Sequence, residues 1–272
     1  MSTVLITGGT GDLGSKLVER FVSQGETVRV LSRRPRPEGA STEWAQGDTE
    51  TGEGLDTAVS GADVVVHAAT GGGTRPKADV PGTRNLLEAC KEAGTPHFFF
   101  ISIVGIEKIP LGYYKAKLEC ERLIEESGVP WSNLRATQFH QLMDGFLRNG
   151  MLPALGRIPF VRLVPKAFKF QPIETDEVAD RMVADAAKGP SGRLPDIGGP
   201  EVLTLGDMAS AWRRATGDGK PIVNLPLVAG GVATAFRAGF NCTPEHADGK
   251  VTWEQWLARK YPPQVARSSA DA

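Results

Sequence analysis

Thr3-Val4-Leu5-Ile6-Thr7-Gly8-Gly9-Thr10-Gly11-Asp12-Leu13-Gly14 decides how the rest of the chain is read. Residues 3–6 form a short apolar run that breaks into a turn carrying Gly8, Gly11 and Gly14. A helical pattern follows through Leu13, Leu17, Val18, Phe21 and Val22. The order is therefore strand, glycine turn, helix. Such a turn brings bare backbone N–H groups and a helix N-terminus against an anion, usually a pyrophosphate. Gly8 permits the tight turn, Gly11 lets the backbone approach the phosphates, and Gly14 lets the helix sit close on the strand. The spacing is Gly-x-x-Gly-x-x-Gly rather than Gly-x-Gly-x-x-Gly. Its place between a strand and a helix is what gives it meaning. Thr10, Asp12 and Leu13 join the three glycines as expected contacts of the bound dinucleotide.

Further along, apolar runs alternate with helical patterns. Strands are expected at 27–31, 44–48, 63–67, 97–103 and 132–137, and helices at about 13–24, 53–60, 79–94, 114–127 and 139–149. Asp63-Val64-Val65-Val66-His67 is a continuous β-branched run, as a strand buried on both faces requires. Alternation with short connections gives right-handed crossovers, hence an α/β fold with a doubly wound parallel sheet of the Rossmann kind. The character changes after Gly150. Residues 151–169 are proline-rich and apolar without a period. Strands are expected at 170–173 and 194–197 and helices at 176–187 and 204–216, the last capped by Thr204 with Asp207 three residues on. Residues 221–225 read as extended, with two or three short helices after them. Residues 1–150 are thus the dinucleotide-binding domain, to which 170–198 returns. Residues 151–262 form a small, mostly helical substrate lobe, and 263–272 a disordered tail.

At 272 residues the chain can bury a large core. With 31 basic and 32 acidic residues, the charge balance implies neither nucleic acid nor an anionic membrane as partner. Cys90, Cys120 and Cys242 are far apart and read as small buried apolar residues of a reducing compartment. His67, His97, His140 and His246 show no metal-ligand spacing, so no metal is expected. The first strand leaves no room for a signal peptide, and no apolar stretch approaches membrane-spanning length. The expectation is a cytoplasmic protein, monomer or homodimer, acting on a small molecule.

The residues after the second strand choose the dinucleotide. An NAD site usually has a carboxylate there for the ribose 2′-hydroxyl. Here the segment is Ser32-Arg33-Arg34-Pro35-Arg36-Pro37, and the first acid is Glu38. Guanidinium groups chelate a 2′-phosphate and stack on adenine, so NADP(H) is preferred over NAD(H), with Arg33 and then Arg34 as its ligands. Asp48 and Thr49 follow the third strand, where Asp48 either accepts from the adenine amino group or serves as a turn aspartate. Ala68, Ala69 and Thr70 end the fourth strand, where small residues let backbone lie along a ribose.

Gly112-Tyr113-Tyr114-Lys115-Ala116-Lys117 opens the helix after the fifth strand, and Tyr113 and Lys117 share a helix face. Ser102 sits near the end of that strand. Together, the glycine turn at 8–14, the Tyr113-x-x-x-Lys117 pair and Ser102 resemble the short-chain dehydrogenase/reductase superfamily. Residues 81–89, 99–105 and 134–140 resemble its atypical, NmrA-like NAD(P)-binding branch. The likeness covers about 3–187 well and the C-terminal lobe loosely. It implies Tyr113 as proton donor to a carbonyl oxygen. Lys117 would bind the nicotinamide ribose and stabilise the phenolate, and Ser102 would hydrogen-bond the substrate carbonyl. It also implies that Thr137, Gln138 and Phe139 wall the nicotinamide, with Gln138, His140 and Met143 toward the substrate. Phe139, Met143, Phe146, Leu147, Phe160 and Phe168 would line an apolar pocket. For His140 a satisfied histidine at a helix start stands as the alternative. Two positions depart from the pattern: Ile103 follows Ser102 where many relatives have a second hydroxyl, and Ala136 stands where many have proline. The implied activity is NADPH-dependent reduction of a carbonyl, quinone or activated double bond of a small hydrophobic or aromatic molecule. The alternatives are a non-catalytic NADP(H)-sensing regulator and a sugar-nucleotide epimerase or dehydratase.

Overall fold

The structure is a computed structural model that describes residues 1–71, 75–150, 160–227 and 229–262. The expected tail at 263–272 and most of the proline-rich stretch, 151–159, lie outside the described residues. Strand β1 (Thr3–Thr7) leads through the glycine turn into α1 (Asp12–Ser23). Then come β2 (Thr27–Ser32), β3 (Glu43–Gln46), α2 (Leu55–Val59), β4 (Val64–His67) and α3 (Asp79–Ala93). They are followed by β5 (His97–Ile103), α4 (Gly112–Glu126), β6 (Trp131–Ala136) and α5 (His140–Asn149). The remainder comprises β7 (Arg162–Val164), β8 (Lys169–Phe170), α6 (Thr175–Ala186), β9 (Gly192–Arg193), β10 (Leu203–Thr204) and α7 (Leu205–Thr216), then β11 (Ile222–Asn224), α8 (Gly231–Ala238) and α9 (Trp253–Lys260).

Seven strands form one sheet in the order β3-β2-β1-β4-β5-β6-β9, every neighbouring pair parallel. The chain winds outward from β1 to β3, then returns to place β4 on β1's other side, with Thr3 opposite Thr27 and Val4 opposite Val64. The order reverses between β1 and β4. A ligand crevice opens at their carboxyl ends, where helices leave on opposite faces of the sheet.

Side chains on alternate sides of each strand build two cores. Val4, Ile6, Val30, Phe99, Ile101 and Leu134 meet Leu17 and Phe21 of α1 and Val178 and Met182 of α6. Leu5, Val65, Phe98 and Phe100 meet Leu86 and Cys90 of α3 and Cys120 and Ile124 of α4. Each large apolar side chain buried this way contributes roughly 1.5–3 kcal/mol. At the solvent edge of the first core, Arg20 of α1 binds Asp176 and Asp180 of α6 at 2.6 Å each. Exposed pairs of this kind are worth at most about 1 kcal/mol.

A third core joins α5 to α7 and α9. The inner stripe of α5 is His140, Met143, Asp144 and Leu147. The His140 ring stacks on Trp253 (centroids 5.7 Å) and Trp256 (5.6 Å). Asp144 accepts from Trp212 Nε1 at 2.7 Å and from the Tyr261 hydroxyl at 2.6 Å. Two expected strands are shorter than read. The run at 170–173 is β8 plus an isolated bridge from Ile173 to Phe139, and 194–197 is a bridge from Ile197 to Ala136 beyond β9. Gln171, held between Gly199 and Thr243, takes over the linking there: its Nε2 donates to the Gly199 carbonyl at 2.7 Å. Thr204 caps α7, its hydroxyl accepting from Asp207 N at 3.1 Å.

Candidate active site

The glycine turn is a cradle with no room for a side chain at Gly8 or Gly14. Gly8 has φ +72°, a left-handed conformation that glycine adopts freely. A Cβ on it would lie 2.7 Å from the Ala69 amide nitrogen at the end of β4. A Cβ on Gly14 would lie 2.0 Å from the Gly8 carbonyl oxygen. The Gly11 N–H donates to that same oxygen at 2.9 Å. Gly11 stands at the N-cap of α1, and no side chain caps the helix. Its first N–H groups therefore point toward the exposed Thr10, Gly11 and Asp12, with Leu13 buried beneath. An uncapped helix start beside a turn closed to side chains at Gly8 and Gly14 fits a diphosphate.

On the outer side of the crevice, Arg33 and Arg34 are exposed, and neither guanidinium has an ion-pair partner among the described residues. Their backbone is fixed: Arg34 N donates to Ser32 Oγ at 3.1 Å, and Trp44 Nε1 donates to the Arg34 carbonyl at 2.8 Å. Asp48 makes a local turn, Oδ1 accepting from Glu50 N at 2.9 Å, and the Thr49 carbonyl accepts from Asn85 Nδ2 at 2.9 Å. Ala68 and Ala69 lie half-buried at the end of β4, the Ala69 N–H bonded to Thr7 Oγ1 at 3.1 Å.

On the inner side stand Tyr113 and Lys117 of α4. The Tyr113 hydroxyl is 3.1 Å from Thr70 Oγ1. Lys117 is buried, its Nζ 4.7 Å from the centre of the Phe100 ring and 3.4 Å from Asp79 Oδ2. The Asp79 carboxylate, at the first turn of α3, also accepts from the Thr70 hydroxyl at 2.7 Å and from Gly71 N at 2.6 Å. Beneath this cluster His67 bridges Thr7 Oγ1 (2.7 Å) and Thr83 Oγ1 (3.1 Å). Burial, with the Lys117 charge adding to it, holds the His67 ring neutral, its pKa pushed down to about 3.

Ser102 is not part of this group. It has the strand parity of Phe98 and Phe100 and is buried beside the Glu121 carboxylate, which is held by Arg135. Its Oγ makes no hydrogen bond of normal geometry, to Tyr113 or to anything else. The hydroxyl that the structure brings to Tyr113 is that of Thr70. The expected substrate wall is displaced as well. His140 and Met143 are wholly enclosed in the third core with Leu147 and Phe168, while Phe160 is 79% exposed. Burial pushes the His140 pKa down to about 4. Gln138 is buried, donating to the Asn241 carbonyl at 3.0 Å, and the Thr137 hydroxyl accepts from Gly199 N at 3.3 Å. These two side chains tie the end of β6 to Gly199 and Asn241. Phe139 packs partly buried on the first core.

Asp79 was not singled out from the sequence, because an acidic residue in a first helical turn ordinarily reads as a partner of the helix dipole. The signal was its spacing: Asp79 shares a face with Thr83 and Leu86, the buried side of α3. Among the described residues, no group of three His, Cys, Asp or Glu side chains could hold a metal ion, and no helix is long and apolar enough to cross a membrane.

A reversing parallel sheet, a tight glycine cradle at β1 and a tyrosine–lysine pair across the crevice define a dinucleotide-binding fold. The chain matches the NAD(P)H-binding family over residues 8–145, and belongs to that family. Photosystem II assembly factor Ycf39 of Cyanophora paradoxa is 25% identical over 237 residues, 83% of this chain and 72% of the relative. The (4-alkanoyl-5-oxo-2,5-dihydrofuran-3-yl)methyl phosphate reductase of Streptomyces griseus is 27% identical over 224 residues, 79% of this chain and 74% of the relative. Among solved structures, the NADPH-dependent quinone oxidoreductase of Escherichia coli, complexed with NADPH, is similar with a TM-score of 0.76 at 17% identity, covering 95% of this chain and 99% of that one. A nucleoside-diphosphate-sugar epimerase of Staphylococcus aureus gives 0.73 at 17% identity, covering 94% and 99%. At such identities the likeness to these two structures is one of fold.

Proposed function

We propose that this protein is an NADPH-dependent oxidoreductase that reduces a carbonyl, quinone or activated double bond of a small, largely apolar molecule. The observation that carries the reading is the Tyr113 hydroxyl, held 3.1 Å from Thr70 at the carboxyl edge of the sheet, on the same helix face as buried Lys117. NADPH, when bound, supplies the hydride. The chain's own part is to place and charge the other half of the reaction. The uncapped start of α1 and the Gly8–Gly14 cradle hold the diphosphate, and Arg33 and Arg34 take the 2′-phosphate that distinguishes NADP from NAD. Tyr113 gives its hydroxyl proton to the substrate oxygen as that oxygen gains charge. Thr70, beside it, holds the Tyr113 hydroxyl in place. Tyr113 packs with Ile103, Leu118 and Phe236 on the cluster of Ile106, Ile109 and Tyr114, apolar surface that favours an apolar substrate. The S. griseus relative, a reductase by name, supports the reaction class.

The test is NADPH consumption, followed at 340 nm, across a panel of quinones and ketones, for wild type and Tyr113→Phe. Wild-type turnover that falls at least about a hundredfold in the variant is expected. A variant equal to wild type removes Tyr113 as donor. A wild type that binds NADPH and consumes none favours the second reading, an NADP(H)-sensing regulator. One observation speaks for that reading: Ser102 is buried away from Tyr113, so the expected serine is missing from the constellation.

A further inference from the structure

We propose that Asp79, acting through Thr70 and against Lys117, is a positioning residue that keeps Tyr113 a neutral, proton-bearing phenol until the site is engaged. The inference rests on Tyr113 being the proton donor, and it concerns the chain's own residues. The direction of the hydrogen-bond chain follows from chemistry. A carboxylate only accepts, so the Thr70 hydroxyl spends its hydrogen on Asp79 Oδ2 at 2.7 Å. Tyr113, 3.1 Å from the same Thr70 oxygen, is then the donor to it. The chain runs Tyr113 to Thr70 to Asp79, and it holds the phenol in its protonated form.

Charge works the same way. Lys117 would by itself favour the phenolate, but its Nζ lies 3.4 Å from Asp79 Oδ2, with both side chains all but inaccessible. The pair presents little net charge to Tyr113. Other groups facing the phenol do not replace it. His67, below from β4, is neutral, and Cys120, from the same helix as Tyr113, is held as a thiol by burial. Tyr114 packs edge-on against Tyr113 as a neutral ring. Lys77, in the turn 76–78 against α4, and Lys115 are exposed and solvated. Ile103 of β5 and Phe236 of α8 add uncharged surface to the apolar cluster on which Tyr113 packs. Among the described residues, Asp79 is the carboxylate that this cluster sets against Lys117 and Thr70, and a ligand that draws Lys117 or Thr70 away from it changes what Tyr113 feels.

The composition makes this measurable without turnover. The chain has three tyrosines. Burial raises Tyr114 well beyond the ordinary range, and burial together with Asp144 pushes Tyr261 up to about 12. Phenolate absorbance of the cofactor-free protein is followed at 295 nm with rising pH, and the step that Tyr113→Phe removes is assigned to Tyr113. Asp79→Asn keeps the shape and the acceptor for Gly71 N while removing the charge. Asp79 Oδ2 is within about 6 Å of the phenol oxygen by the two hydrogen bonds. At an effective dielectric constant of ~40, Coulomb's law puts the loss at about one pH unit, a tenfold change in the phenolate equilibrium. The step should move down by that amount. Lys117→Met, which leaves the carboxylate unopposed, should move it up, and the double variant should return it close to wild type. Circular dichroism at each pH keeps folding in view, and Asp79→Glu, retaining the charge, should keep the step nearer to wild type than Asp79→Asn does. A step that stays in place or rises in Asp79→Asn overturns the assignment, as does a double variant whose shift equals that of either single variant. Because no turnover is read, absent NADPH consumption with these shifts intact removes only the reductase reading. Intact turnover without them removes only the role of Asp79.

Discussion

Replacing Gly14 by alanine separates the packing of the glycine turn from its chemistry. Alanine in a first helical turn is ordinarily a gain of about 0.5–1 kcal/mol over glycine. Here the new methyl would stand 2.0 Å from the Gly8 carbonyl oxygen, 2.6 Å from its carbon and 2.8 Å from Gly9 Cα. All three neighbours are backbone, so none can swing aside. Ordinary contact requires more than 3 Å, and α1 must retreat by about 1 Å. That retreat loosens Leu13, Leu17 and Phe21 from the first core. Overpacking of this kind costs typically 1–3 kcal/mol. Set against the propensity gain, a net loss of about 1–2 kcal/mol is expected, a fall of roughly 3–6 °C in the melting midpoint at this chain length. The retreat also carries the N–H groups of α1 away from the diphosphate, so NADPH affinity should drop at least about tenfold. Gly11→Ala is the internal contrast. Its Cβ meets only Gly8 O, at 3.3 Å, so the melting midpoint should barely move while NADPH binding weakens. The assay is differential scanning fluorimetry with and without NADPH, joined to fluorescence titration of the dinucleotide. A Gly14→Ala protein with wild-type midpoint and affinity would refute the reasoning, because no relaxation short of moving α1 relieves the contact.

Two further outcomes follow from the same geometry. Arg33→Ala and Arg34→Ala should each weaken NADPH binding about tenfold or more and leave NADH nearly unaffected, since only the former carries the 2′-phosphate; equal losses for both dinucleotides in a titration would place the arginines elsewhere. Acid should destabilise the fold early: His67 titrates only near pH 3 when folded against about 6.5 unfolded, so the unfolded chain takes up a proton that the folded one refuses as pH falls below 6.5. That is about 2 kcal/mol lost by pH 5 from His67 alone, and His97 and His140, both pushed down to about 4 by burial, act with the same sign. Urea midpoints between pH 7.5 and 5 measure it, and a midpoint that holds steady over that range would contradict the buried, neutral state of these rings.

The parts of the fold legible in the sequence are those written locally. The glycine turn, the β-branched run at β4 and the Tyr113–Lys117 spacing each sit within a few residues, and each lies where its pattern placed it. What failed was the assignment of faces. Residues 98–101 are apolar on both sides, so the strand carries no alternation to say which way Ser102 points, and it points under the sheet with Phe98 and Phe100. The stripe His140, Met143, Leu147 was visible as a stripe, but its covering comes from Trp253 and Trp256, more than a hundred residues later. Nothing near α5 distinguishes a ligand pocket from a place kept for a distant helix. Asp79 escaped for a related reason. Its partners, Thr70 and Lys117, come from β4's exit and from α4, and a charge at a helix start gives no hint that it is enclosed.

The stacking of His140 on Trp253 and Trp256 has a consequence for how the protein comes into being. Synthesis proceeds from the N-terminus at about 5–20 residues per second, so the surface of α5 leaves the ribosome roughly 6–20 s before the tryptophans that cover it. In that interval the sheet through β6 can assemble, while one side of α5, His140, Met143 and Leu147, stays open to water and to other nascent chains. Release of α9 ends the exposure, and this helix acts as a latch on a core whose other half has been waiting.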